Sequence, residues 1–245
     1  MKRTKFLGIA FSVLVITSCF STTVFADNTP DELDTVSIDS AIQEHDAYIA
    51  SNLESLIEEQ AGVEMESLNE NEDLYFLDSD SPYIIKDYHF TEEVYDAGIE
   101  KIMADVTLVQ ITDVSAVSPY SGGSNLREGT DNTGSVTLYS TIYFRQKTVD
   151  HNVYDNFYQA SGGYKSLDSG TQVASQSVDI GAAGASLDDP YVSKTINRYP
   201  TTSFWQYNTG FTDYLHDPTV YMGIHYTVTL KRSTSTWTYT FSNKY

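Results

Sequence analysis

"SVTLYSTIYFR", Ser135–Arg145, decides the fold class. In an extended chain Val136, Leu138, Ser140, Ile142 and Phe144 share one face, and Thr137, Tyr139, Thr141, Tyr143 and Arg145 share the other. A period of two, carried by β-branched and aromatic residues, marks a half-buried strand. The pattern returns in "VYMGIHYTVTLK" (Val220–Lys231). There Val220, Met222, Ile224, Tyr226, Val228 and Leu230 alternate with Tyr221, Gly223, His225, Thr227, Thr229 and Lys231. In "STWTYTF", Trp237, Tyr239 and Phe241 oppose Thr236, Thr238 and Thr240, and the short "KRSTS" between these two runs predicts a hairpin.

Weaker strand patterns cover Tyr154 to Tyr158, Thr171 to Ile180 and Tyr191 to Asn197. Several short strands joined by glycine-rich turns, with no helical period between them, predict an antiparallel β-sandwich over residues 118–245. Its first part, "SPYSGGSNLREGTDNTG", reads as a loop and a boundary.

Upstream the chain changes character. Asp27 to Asp113 carries 24 acidic residues against Lys86 and Lys101 alone, whereas Val114 to Tyr245 holds 10 acidic and 9 basic residues. Charge therefore marks off an acidic region, 27–117, from the β domain. So much negative charge repels phosphate, and the second half has no basic stripe, which argues against nucleic acid as a partner.

Within the acidic region Ile38, Ala41, Ile42, His45, Ile49, Leu53, Leu56 and Ile57 recur at helical spacing. This predicts an amphipathic helix with Ser37 or Asp39 as N-cap and Gly62 as its stop. "EMESLNENED" reads as a linker, "SPYIIKDYHF" as extended, "TEEVYDAGIEKIMA" as a short helix or a turn at Asp96-Ala97-Gly98, and "DVTLVQIT" as a strand. Asp78 and Asp80 alternate in "LDSDS", but a calcium loop needs more oxygens at fixed offsets and a turn glycine, so the acid reads as solvated.

The first 26 residues have the order of a secretory leader: Lys2, Arg3 and Lys5, an apolar run from Phe6 to Phe20, and a small-residue site ending at Ala26. Cleavage between Ala26 and Asp27 predicts a released, extracellular, disulfide-free protein with no transmembrane segment in the mature chain. The competing cut precedes Cys19, where Ile16-Thr17-Ser18-Cys19 resembles a bacterial lipobox and would leave a lipid-anchored protein at the cell surface. The six residues between Phe20 and the cut after Ala26 favour release.

Motifs for catalysis are missing. There is no His-Glu-x-x-His, no Gly-x-Ser-x-Gly, no phosphate loop and no dinucleotide fingerprint, and no cofactor is called for. The β region holds one glutamate, Glu128, in its loop. Asp213, His216 and Asp217 are the one grouping that suggests a base or a metal ligand set.

Aromatic residues offer another chemistry. "YPTTSFWQYNTGFTDY" concentrates rings between Tyr199 and Tyr214. Trp205 and Tyr207 there, with Tyr139, Tyr143 and Tyr221 on the polar strand faces, are the candidates for a ligand platform; the competing role for each is core or cross-strand packing. Together these features predict a secreted bacterial, non-catalytic protein whose β domain recognises a glycan or a protein at or outside the cell surface. Two alternatives stand beside it: the precursor of a toxin- or bacteriocin-like effector with an acidic pro-segment, and an extracellular hydrolase.

Overall fold

The computed structural model describes residues 30–65, 74–75, 83–98, 100–113, 136–166, 170–232 and 234–245. The leader, Cys19, the Ala26/Asp27 cut, Asp78 and Asp80, and the loop at 118–134 lie outside the described residues.

The chain is mainly β. Two helices, α1 (Pro30–Ser51) and α2 (Leu53–Met65), precede the strands β1 (Leu74–Tyr75), β2 (Tyr83–Asp96), β3 (Lys101–Asp113), β4 (Val136–Val149), β5 (Asn152–Ser166), β6 (Thr171–Gly184), β7 (Val192–Arg198), β8 (Phe204–Asn208), β9 (Leu215–His216), β10 (Tyr221–Arg232) and β11 (Ser235–Lys244). They form two antiparallel sheets. A seven-stranded sheet runs β1-β2-β3-β4-β5-β8, with β9 also on β5, and a four-stranded sheet runs β11-β10-β6-β7.

The sandwich core lies between the sheets, as the alternating patterns require. Val136, Leu138, Ile142 and Phe144 of β4 meet Met222, Ile224, Tyr226, Val228 and Leu230 of β10 and Trp237 and Phe241 of β11. The Lys231–Ser235 hairpin is present, with Arg232 paired to Ser235.

Four expectations change. "TEEVYDAGIEKIMA" takes the turn at Asp96-Ala97-Gly98 and not the helix: it is the end of β2, a turn with Gly98 at φ 85°, and the start of β3. The left-handed turn and the pairing of β2 to β3 along their whole length outweigh a weak helical period. The helix starts at Pro30 rather than at a Ser37 or Asp39 cap and runs through Gly62 to Met65, interrupted at Asn52. There Ser51 Oγ donates to the Ala47 carbonyl (2.7 Å) and Asn52 Nδ2 to the Tyr48 carbonyl (2.8 Å), local bonds that compete with the helix ladder. The boundary at 117/118 does not divide the fold, because β3 and β4 on either side of it pair from Lys101↔Gln146 to Ile111↔Val136.

The fourth change concerns β4 itself. It is buried on both faces, because α1 and α2 cover the outer side of the seven-stranded sheet. Ile38, Ile42, Ile49, Leu53, Leu56 and Ile57 pack there on Tyr88, Ile102, Ala104, Val106, Leu108, Tyr139 and Tyr143. The molecule is thus three layers deep: helices, sheet, sheet.

Candidate functional site

Five rings were expected to form a platform, and the three layers distribute them unequally. Tyr139 (2 % exposed) and Tyr143 (0 %) lie beneath the helices, and Trp205 (3 %) lies in the sandwich core. Their exposure is corrected by what covers them: α1 for the tyrosines and Tyr226, edge-on at 5.4 Å, for the tryptophan. Tyr207 is half-buried, stacked on Trp205 at 5.7 Å with the Arg198 guanidinium 5.6 Å from its ring. Tyr221 alone of the five is well exposed, at 42 %.

Tyr221 stands on the outer face of the four-stranded sheet, which no other described element covers. Successive outward residues of β10 are Tyr221, Gly223, His225, Thr227, Thr229 and Lys231. A Cβ at Gly223 would sit 3.0 Å from the Tyr221 hydroxyl and 3.2 Å from Cζ. The phenol therefore leans along its own strand and lies down over the glycine. Gly181 is directly opposite Gly223 on β6, so the floor beside the ring carries no side chain.

The next row across the sheet is Ser242–His225–Asp179–Asn197, one residue from each strand in register. Ser242 Oγ and His225 Nδ1 are 2.7 Å apart. Beyond the glycines, the row through Gly223 ends in Lys244 on β11 and Thr195 on β7. Hydroxyl, imidazole, carboxylate, amide and ammonium groups thus occupy the rows beside an aromatic ring that lies flat. Such a set presents donors and acceptors to a polyhydroxylated ligand and an apolar face to one side of its ring.

The other groupings fare differently. Asp213 is ion-paired with Lys194, whereas the His216 ring packs on Tyr154 at 5.2 Å, so the two side chains turn to separate partners. Among the described residues no three His, Cys, Asp or Glu side chains gather as a metal set would require, and no helix there is long and apolar enough to cross a membrane. A groove of about 270 Å³ lies between α1 and β8, lined by Gln43, Asp46, Ala47, Ala50, Phe204 and Gln206. It is below the usual size of a small-molecule site.

No protein-family model matches this chain, and neither does any curated protein or solved structure.

Sequence reasoning missed three buried carboxyls among the described residues, Asp46, Asp105 and Asp155; Asp105 accepts from Thr91 Oγ1 (2.8 Å) and faces His89 Nε2 (2.9 Å). Asp46 on α1 reaches into the layer below, where Tyr143, Ser161 and Gln206 donate to it. Burial pushes its carboxyl above the ordinary range, against the opposing pull of those donors and of His45. The only signal was an aspartate beside the apolar stripe of the helix, a position that reads equally well as solvated.

Asp155 on β5 is fully buried, accepts from Gln146 Nε2 (3.0 Å) and Tyr245 Oη (3.3 Å), and is pushed up to about 6, first by burial and then by nearby Asp217, against the pull of Gln146. The folded state therefore holds this proton more tightly than the unfolded chain does. Stability from this group is full below the ordinary value of 3.8 and falls as pH rises through about 6. The loss amounts to on the order of 2–3 kcal/mol. Urea denaturation across that window, compared between wild type and Asp155→Asn, is expected to show the variant gaining on the wild type by this amount as pH rises. A constant difference would mean that Asp155 does not carry the proton.

Proposed function

We propose that this is a secreted, non-catalytic binding protein that recognises a glycan through the open face of its four-stranded sheet. The observation that carries the reading is the Tyr221 ring laid over Gly223 beside the row Ser242–His225–Asp179–Asn197. An aromatic face held flat by the absence of a side chain beneath it is pre-organised for stacking, so little freedom is lost on binding. Export rests on the leader pattern of residues 1–26.

The experiment is a glycan array probed with the wild-type protein and with Tyr221→Ala. The wild type is expected to be retained by a subset of glycans. The variant should bind at least about tenfold more weakly, a change of about 1.4 kcal/mol. Its unfolding midpoint should stay within the range of ordinary surface substitutions, about 0.5 kcal/mol. Retention by no glycan, or full retention of the variant, would sink the reading.

The effector reading draws support from the helices, which shield an apolar face of the sheet. Cleavage near residue 115, however, would strip β1, β2 and β3 from the seven-stranded sheet and bare the edge of β4. Among the described residues, the separable shield is α1 with α2.

A further inference from the structure

The outer face of the four-stranded sheet continues well past Tyr221. Two further rows cross it in register: Thr240–Thr227–Ser177 and Thr238–Thr229–Ser175. The hydroxyls of Thr227 and Thr240 are 2.8 Å apart, and those of Thr229 and Thr238 are 3.5 Å apart. Adjacent strands in such a sheet stand about 4.8 Å apart and same-face neighbours along a strand about 6.7 Å. The rows therefore form a regular grid of hydroxyls. From Tyr221 to Lys231 the track runs roughly 33 Å along β10, several times the length of one sugar ring.

Its charge is as unusual as its length. In a chain with 34 acidic residues and a net charge of −20, the outward positions of this face carry one carboxylate, Asp179. Lys231 and Lys244 stand at its margins, and His225 lies near its centre. Threonine side chains are stiff at χ1, and pairing across the strands holds them further, so contact with a ligand orders little that was free. An anionic polymer would meet the repulsion of the whole molecule, and a cationic one would find a single partner on the face.

We infer that this face binds a linear, uncharged polysaccharide lengthwise, with Tyr221 and the row of His225 gripping one sugar unit and the threonine–serine grid carrying the units that follow. The inference rests on the glycan reading above and adds to it the extent and charge of the ligand.

Cellobiose and cellohexaose, xylobiose and xylohexaose, mannobiose and mannohexaose, and a heparin-derived hexasaccharide are the probes, titrated by calorimetry against three proteins: wild type, Tyr221→Ala, and the double variant Thr227→Val/Thr240→Val. Valine keeps the branched shape of threonine and removes only the hydroxyl. The wild type is expected to bind at least one neutral hexasaccharide about tenfold or more tightly than its disaccharide. The double variant should reduce that hexasaccharide to the affinity of the disaccharide and leave the disaccharide unchanged. Equal affinity for the two lengths, tightest binding of the heparin fragment, or an unaffected double variant would overturn the inference while leaving a glycan site at Tyr221 intact. No binding of any probe, or no loss in Tyr221→Ala, would overturn both.

Discussion

Asp46→Ala is expected to destabilise the protein by about 3–5 kcal/mol, the range for removing one partner of a buried ionic network. The carboxylate accepts from Tyr143 Oη and Ser161 Oγ, each at 2.5 Å, and from Gln206 Nε2 at 2.9 Å. Alanine would strand all three donors, and those of Tyr143 and Ser161 belong to fully buried residues. The network also extends outward. His45 stands between Tyr143 Oη (2.7 Å) and Glu92 (2.8 Å). Tyr143 has one hydroxyl proton, so it can donate to Asp46 only while His45 Nδ1–H donates to it. Losing Asp46 therefore unsettles every link of the chain. Urea denaturation followed by circular dichroism is the measurement. A change of less than about 1 kcal/mol would show that the apolar contacts of α1 hold the helical layer unaided.

Trp205→Ala is expected to cost a similar 3–5 kcal/mol, as large-to-small changes at buried aromatic positions do. The indole fits a notch that only glycine leaves open: a Cβ at Gly162 would lie 2.5 Å from Trp205 Cζ2. Tyr226 meets the indole edge-on, and Phe241 in turn meets Tyr226 at 5.5 Å. The same variant should leave binding at the Tyr221 face intact wherever the protein remains folded. A Trp205→Ala protein of unchanged stability that lost its ligand would return the tryptophan to the site. Stability by denaturation and binding on the glycan array separate the two roles.

Much of the sandwich was legible because period two is a local property. β10 and β11 could be read residue by residue, down to which threonines face outward, since each has one face in the core and one in water. β4 shows where such reading ends. Its Thr137, Tyr139, Thr141 and Tyr143 look like an outer face in any single strand, and only the arrival of α1, about a hundred residues earlier in the chain, makes them interior. The charge boundary failed as a fold boundary for a related reason. Acidic residues record which surfaces meet water, and β2 and β3 belong to an acidic stretch while pairing into a largely neutral sheet. Tyr221 was legible as an exposed ring. The glycine beneath it mattered only once the ring was seen to lie along the strand.

Asn243 in β11, two positions before Tyr245, donates to the carbonyls of Asp105 and Ser140 at 2.9 and 3.0 Å. Tyr245 pairs its backbone with Met222 and lays its ring on Phe144 at 4.1 Å. The final strand thus ties together strands made more than a hundred residues before it. Local contacts cannot close this core early, so folding waits on loop closures spanning most of the chain, and topologies of this kind fold in milliseconds to seconds rather than microseconds. Until residues 235–245 join, the core lacks the Asn243 bonds to both strands and the Tyr245 ring on Phe144. Under the proposed export, an apparatus that threads unfolded chains would meet a substrate that has not yet been able to lock itself shut.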